Sequence, residues 1–137
     1  MKLSITVSVA MAWLFATPCS AWDEAHLAKL KETGQCAGCD LSGADLRWAN
    51  VYAAELGGAP NLVDAVLDGA NLSNANLFGG NLEGASLKNA NLAGANMSWG
   101  SLIGADLSNA DITDTKMTGA IFCNTVMPDG EKLSTGC

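Results

Sequence analysis

The side chains best able to do chemistry in this 137-residue sequence are five cysteines, one histidine and fourteen carboxylates. Cys36-Ala37-Gly38-Cys39 is a CxxC motif, a spacing that serves dithiol redox exchange, covalent haem attachment or one half of a zinc site. Haem attachment requires His at the next position, which is Asp40. Redox exchange wants a helix N-terminus to lower a thiol pKa, whereas the helix predicted nearby ends before the motif. Zinc needs four ligands, so Cys123 and Cys137 would have to join the pair. The remaining reading is a structural disulfide or buried thiol pair. Cys36, Cys39, Cys123 and Cys137 are an even set, for which three disulfide pairings are open.

His26 has no Ser or Cys nucleophile that the sequence places beside it, and it reads as a surface residue in the first turn of a helix. Asp45, Asp64, Asp68, Asp106 and Asp111 are plentiful acids, but most recur at one outward position of a short repeat, where a solvated charge is the simpler role than acid–base pairing. Gly57-Gly58 and Gly79-Gly80 lack the strand-to-helix transition and following Lys of a phosphate loop. No catalytic residue, metal ligand or cofactor follows, and no enzyme is expected.

Seven basic against fourteen acidic residues leave a formal charge of −7, with 49% of the chain apolar and 15% charged. Without a Lys/Arg stripe, direct nucleic-acid binding through phosphates is excluded, and docking on anionic lipid is disfavoured. The length suits one domain. Residues 1–21 read as a signal peptide: Lys2 is a short positive region, Leu3 to Ala16 carry no charge, Pro18 breaks the run, and Cys19-Ser20-Ala21 places small residues at −3 and −1. The run is shorter than the roughly 20 residues of a membrane span, so no stable anchor is expected after cleavage. Lipidation at Cys19 is the rival, against which Pro18 argues. Cleavage removes Lys2 and no acid, leaving six bases against fourteen acids, or −8.

The elements that position these groups follow from a repeat. An apolar residue recurs every five positions at Leu41, Leu46, Val51 and Leu56, then one residue out of phase from Leu62 to Met127, making 18 units. Ala stands two before the apolar centre in 12 of the 18, and Asn or Asp one before it in 11, so the unit is Ala-(Asp/Asn)-Leu-x-x. Period five drifts about 140° per unit around an α-helix and throws successive Leu to opposite faces of a strand. The chain must therefore turn at every unit, with Leu and the small residue inward and Asn/Asp and the last two residues outward. Such units bury apolar surface only by stacking.

Units such as Ala70-Asn71-Leu72-Ser73-Asn74-Ala75-Asn76-Leu77 resemble the pentapeptide-repeat family over about residues 39–127. The resemblance implies an all-β solenoid, a right-handed quadrilateral β-helix with four pentapeptides per coil. Centres 20 apart should then stack: Leu62/Leu82/Leu102/Phe122, Leu67/Leu87/Leu107/Met127, Leu72/Leu92/Ile112 and Leu77/Met97/Met117. Gly80 and Gly100, 20 apart at the inward small position, agree independently. About four and a half coils at about 4.8 Å give a rod some 20 Å long. The extra residue near Ala59-Pro60 should bulge at a corner.

Both ends of a solenoid expose unpaired backbone and need covering. Asp23 can cap a helix over about Glu24 to Thr33, with Trp22 and Leu27 as a hydrophobic staple, Gly34 as its stop, and Leu27 and Leu30 against the first coil. The expected divisions are residues 1–21 signal peptide, 22–35 capping helix, 36–127 β-helix and 128–137 C-terminal cap. Met127-Pro128-Asp129-Gly130 suits a type I turn that brings the tail back over the last coil. With the two cysteine pairs at opposite ends of the rod, local pairing Cys36–Cys39 and Cys123–Cys137 is favoured and a shared zinc site is not. Closing a loop of about 15 residues stabilises by roughly 3 kcal/mol.

What remains is surface. Phe78 and Trp99, with Val63 and Ile103 on the adjoining side, form a candidate interaction patch, and Trp48 and Tyr52 invite the same reading. The expected function is a non-enzymatic exported scaffold, a protein-interaction or structural module of the bacterial envelope with an envelope protein as its possible partner. It would work in the periplasm, an extracellular space, or the thylakoid lumen of a photosynthetic bacterium. The alternative implied by the resemblance is a DNA mimic that binds a topoisomerase such as DNA gyrase, which the charge fits and the signal peptide opposes. An ice-binding surface would want an outward Thr column, which Thr113, Thr115 and Thr118 do not make. Oligomeric state and partner identity do not follow from the sequence.

Overall fold

A computed structural model describes residues 23–137. The expected signal peptide, and Trp22 of the expected staple, lie outside the described residues. Helix α1 (Glu24–Thr33) starts where the Asp23 carboxylate accepts the Ala25 N–H at 2.9 Å, and stops at Gly34 (φ 66°), whose N–H returns to the Leu30 carbonyl. Leu30 is 2% exposed in the core and Leu27 packs against it. Among the described residues no helix is long and apolar enough to cross a membrane.

From Gln35 onward the chain turns a corner every five residues. The centre's carbonyl accepts the N–H of the small residue three later, as in Ala44 to Leu41 at 3.0 Å and Ala90 to Leu87 at 3.1 Å. At every corner from Cys36 to Phe122 the second corner residue has positive φ, as a type II turn demands. Gly supplies it at Gly43 (φ 71°) and Asn at Asn74 (φ 57°), the residues that tolerate the left-handed region best. Only two residues per side stay extended, so each rung makes one parallel bridge to the next rather than a long ladder. Fifteen such bridges run from Gln35↔Glu55 to Asp106↔Val126.

The bridges define four sides. Their rungs are centred on Cys36, Leu56, Leu77, Met97 and Met117 on the first; Leu41, Leu62, Leu82, Leu102 and Phe122 on the second; Leu46, Leu67, Leu87, Leu107 and Met127 on the third; and Val51, Leu72, Leu92 and Ile112 on the fourth. Bridges that cross the inserted residue are offset by 21 and all others by 20. The extra residue is absorbed at the corner after Leu56, through Gly58 and Ala59 at positive φ, and Pro60 is buried where other units carry Ala. Most central Leu are fully buried, each adding about 1.5–3 kcal/mol.

The periodic chain thus begins one unit earlier than Leu41, at Cys36. Regular strands are few: β1 (Thr125–Val126) pairs antiparallel with β2 (Lys132–Leu133) in the tail. Gly130 donates to the Met127 carbonyl across the intervening turn, and disulfides join Cys36 to Cys39 and Cys123 to Cys137.

Candidate functional site

The acids expected to be free on the surface are mostly engaged by their own backbone. At the position before each centre, Asp or Asn accepts the N–H two residues on: Asp45 from Arg47 at 3.2 Å, Asp106 from Ser108 at 2.9 Å, Asp111 from Thr113 at 3.0 Å, and Asn71 from Ser73 at 3.2 Å. These positions do face outward, with Asp45 and Asp111 exposed, but they also hold the corner, because the first corner N–H points sideways from the ladder and the short Asx side chain reaches it. Asp64 and Asp68 sit instead on corners; Asp68 accepts from the Lys88 N–H at 3.1 Å.

The carboxyl of Asp45 is held down to about 2 by the Arg47 side chain and N–H, Asp40 is lowered by Ser42, and Asp111 by Thr113. For Asp106 burial pushes upward, but the Ser108 hydroxyl and N–H and the Lys88 ammonium outweigh it and leave the pKa lowered. Such shifts hold the carboxylates ionised.

His26 is not a bystander on the surface. It is half-buried, its Nδ1 accepts the Asp40 N–H at 3.3 Å, and its carbonyl oxygen lies 3.3 Å from Cys36 Sγ. It fastens α1 to the first coil. Cys36 (0% exposed) and Cys39 (3%) occupy the centre and small positions of that coil, and their disulfide spans a turn that Leu and Ala span elsewhere. The sequence signal was the phase of Cys36. Among the described residues no group of three or more His, Cys, Asp or Glu is placed to hold a metal ion.

The apolar patch is partly assembled. Phe78 and Trp99 lie on adjacent rungs of the first side, 46% and 66% exposed. Val63 and Ile103 share the second side but are half-buried, and Glu83 occupies the rung between them, so the patch is interrupted there. Trp99 and Trp48 take the left-handed corner position, φ 61° and 58°, that Gly, Asn or Asp fills at most corners. Each indole lies against the glycine of the next coil, Trp99 over Gly119 and Trp48 over Gly69. Of the threonines, Thr115 and Thr125 donate inward, to the Leu92 and Leu102 carbonyls at 2.8 and 2.6 Å.

Residues 61–92, 70–109 and 90–127 match the profile described as pentapeptide repeats, in eight copies. The chain is similar to HetL, a pentapeptide repeat protein involved in heterocyst differentiation regulation in the cyanobacterium Nostoc sp. strain PCC 7120. The two are 34% identical over 72% of this chain and 43% of HetL, with a TM-score of 0.50, so the chain spans less than half of HetL's length. Rfr23, from the cyanobacterium Cyanothece 51142, is 29% identical over 75% of this chain and 97% of its own, at a TM-score of 0.45. The Nostoc protein alr5209 is 30% identical over 64% and 77%, at 0.42. No match is found among the curated proteins.

Proposed function

Because the chain belongs to the pentapeptide-repeat family, we propose that it is a non-enzymatic exported scaffold, a right-handed quadrilateral coil that presents a rigid face to a protein of the bacterial envelope. The observation that carries this reading is Trp99, two-thirds of it in solvent (66%) and held at φ 61° beside the exposed Phe78. A left-handed backbone costs a bulky residue about 1–2 kcal/mol, and strain of that kind concentrates at functional positions. Aromatic anchors on a preorganised surface are the chemistry of protein contact. Glu83 limits the face to the first side, with α1 packed on the first coil and the tail paired along the third side.

Export is supported by the signal-like residues 1–21 and by two disulfides, which persist in oxidising compartments. The net charge of −7 favours the second reading, a DNA mimic acting on a topoisomerase. Intact mass from each cell fraction separates them. The proposal expects a chain beginning at Trp22, four hydrogens lighter than its reduced form, in the envelope or medium. An uncleaved, reduced chain in the cytosol overturns export and makes gyrase inhibition the experiment to run.

A further inference from the structure

Three sides of the coil have five rungs and the fourth has four. The chain reaches Met127 on the third side, turns away through Pro128 and returns as β2, so the fourth side of the last coil is never built. What that side would have supplied can be read from the rungs above. There the centre's N–H and the N–H two residues later donate to the next rung, as in Leu92 to Asp111 and Gly94 to Thr113, both at 2.8 Å. The carbonyl of the small residue accepts in return, as in Asp111 to Ala90 at 2.9 Å. In the last rung the same three groups, the N–H of Ile112, the N–H of Asp114 and the carbonyl of Ala110, find no backbone partner among the described residues; the first and second sides also end unpaired, at Met117 and Phe122, but only the fourth stops a rung short of them beside the returning tail. Val51, Leu72 and Leu92 above are buried, whereas Ile112 is only half-buried. Beside it lies a cavity of about 360 Å³ lined by Ile112, Met127, Pro128, Asp129, Glu131 and Leu133.

We propose that this unfinished side is a binding groove for an extended peptide segment of a partner protein, which completes the last coil by backbone pairing, seats one apolar side chain in the cavity and sets basic neighbours against the acidic rim. The backbone groups supply register and the cavity supplies selection, the division of labour in strand addition to a sheet edge. The charge of the occupant follows from Asp111, Asp114, Asp129 and Glu131, none of which forms an ion pair among the described residues, against Lys132 and Lys116 nearby. A second copy docked end to end could pair its Ala110 carbonyl with the Ile112 N–H across a two-fold, but it would set the same acids against one another, whereas a basic peptide brings acceptors and opposite charge together. The proposal rests on the reading of the chain as an interaction module and names a second surface for it.

The test is two-dimensional NMR of the full oxidised chain titrated with the blocked peptide acetyl-Ala-Arg-Leu-Lys-Gly-Ala-amide. Saturable shifts are expected at the amides of Ile112 and Asp114, with both protons moving downfield as they gain acceptors. Replacing the peptide's Leu by Asp, or its basic residues by Glu, should weaken binding at least tenfold. Glu131→Lys, an exposed change, should weaken the basic peptide severalfold and spare the fold, as judged by unchanged shifts in the first coils. Cys137→Ser, which frees the tail that walls the cavity, should weaken it as well. Absence of shifts at millimolar peptide, equal binding of the acidic peptide, or shifts at Ile112 and Asp114 that follow protein concentration alone would each overturn the proposal. A partner crosslinked through Phe78 or Trp99 while the groove stays silent leaves the module reading standing and this one refuted.

Discussion

Gly100→Ala tests how closely residues 80 and 100 approach across one coil. A Cβ at residue 100 would sit 2.9 Å from the Gly80 carbonyl oxygen and 3.1 Å from that of Met97. Neither atom can retreat cheaply, because Gly80 O accepts the Ser101 N–H at 2.9 Å and Met97 O closes the turn with Gly100 itself. Gly100 does not have positive φ, so Ala is conformationally acceptable there and the crowding alone decides. Overpacking costs about 1–3 kcal/mol, from which about 0.4–1 kcal/mol is recovered by the lower entropy of the unfolded chain. The net loss is about 1–2 kcal/mol, or a fall in Tm of roughly 4–8 °C for a domain of this size. The assay is thermal unfolding followed by circular dichroism, with both disulfides intact. Gly43 supplies the contrast: nothing lies within 4 Å of its Cβ position, but its φ is 71°. There Asn should be tolerated better than Ala, while at residue 100 the larger Asn should be worse than Ala. A Gly100→Ala variant as stable as the parent would refute the close approach of residue 100 to the Gly80 carbonyl.

Four further outcomes are expected. Leu92→Ala, in the middle of a fully buried column, should cost about 2–5 kcal/mol in urea unfolding, and a loss below 1 kcal/mol would place Leu92 outside the core. Asp40, Asp45, Asp106 and Asp111 are each more acidic folded than unfolded, so the stability they add is complete above about pH 4 and is lost as pH falls through their folded values, Asp45 at about 2; a thermal midpoint that rises between pH 4 and 2 would contradict this. Cys137→Ser should remove roughly 3 kcal/mol by reopening a loop of about 15 residues, with exchange of β2 amides as the readout and unchanged β2 protection as the contrary result. Phe78→Ser with Trp99→Asn should leave cooperative unfolding intact, since both side chains are largely in solvent and Asn tolerates positive φ; loss of cooperativity would mean that the patch is part of the fold rather than a contact face.

Period five, read with the small residue two positions ahead of each centre, is enough to specify a chain that turns every unit and buries Leu and Ala. That information is local and repeats in every unit, which is why the columns, the helix from Glu24 to Thr33 and the displaced register at Pro60 were all legible in the sequence. The Gly, Asn or Asp that stands two residues after most centres is the one that takes positive φ, and the structure brought out that role.

The surface was a different matter. Whether Val63 and Ile103 touch depends on what stands one coil between them, and Glu83 does. Whether His26 is free depends on where α1 lands on residues 36–40. Only the stacking shows that Trp99 leans on Gly119 and that the fourth side stops one rung short, because those relations join residues about 20 apart and depend on how many coils the chain completes before it turns back. Periodicity determines what each unit does; the tertiary structure decides which units are neighbours and where the series is left unfinished.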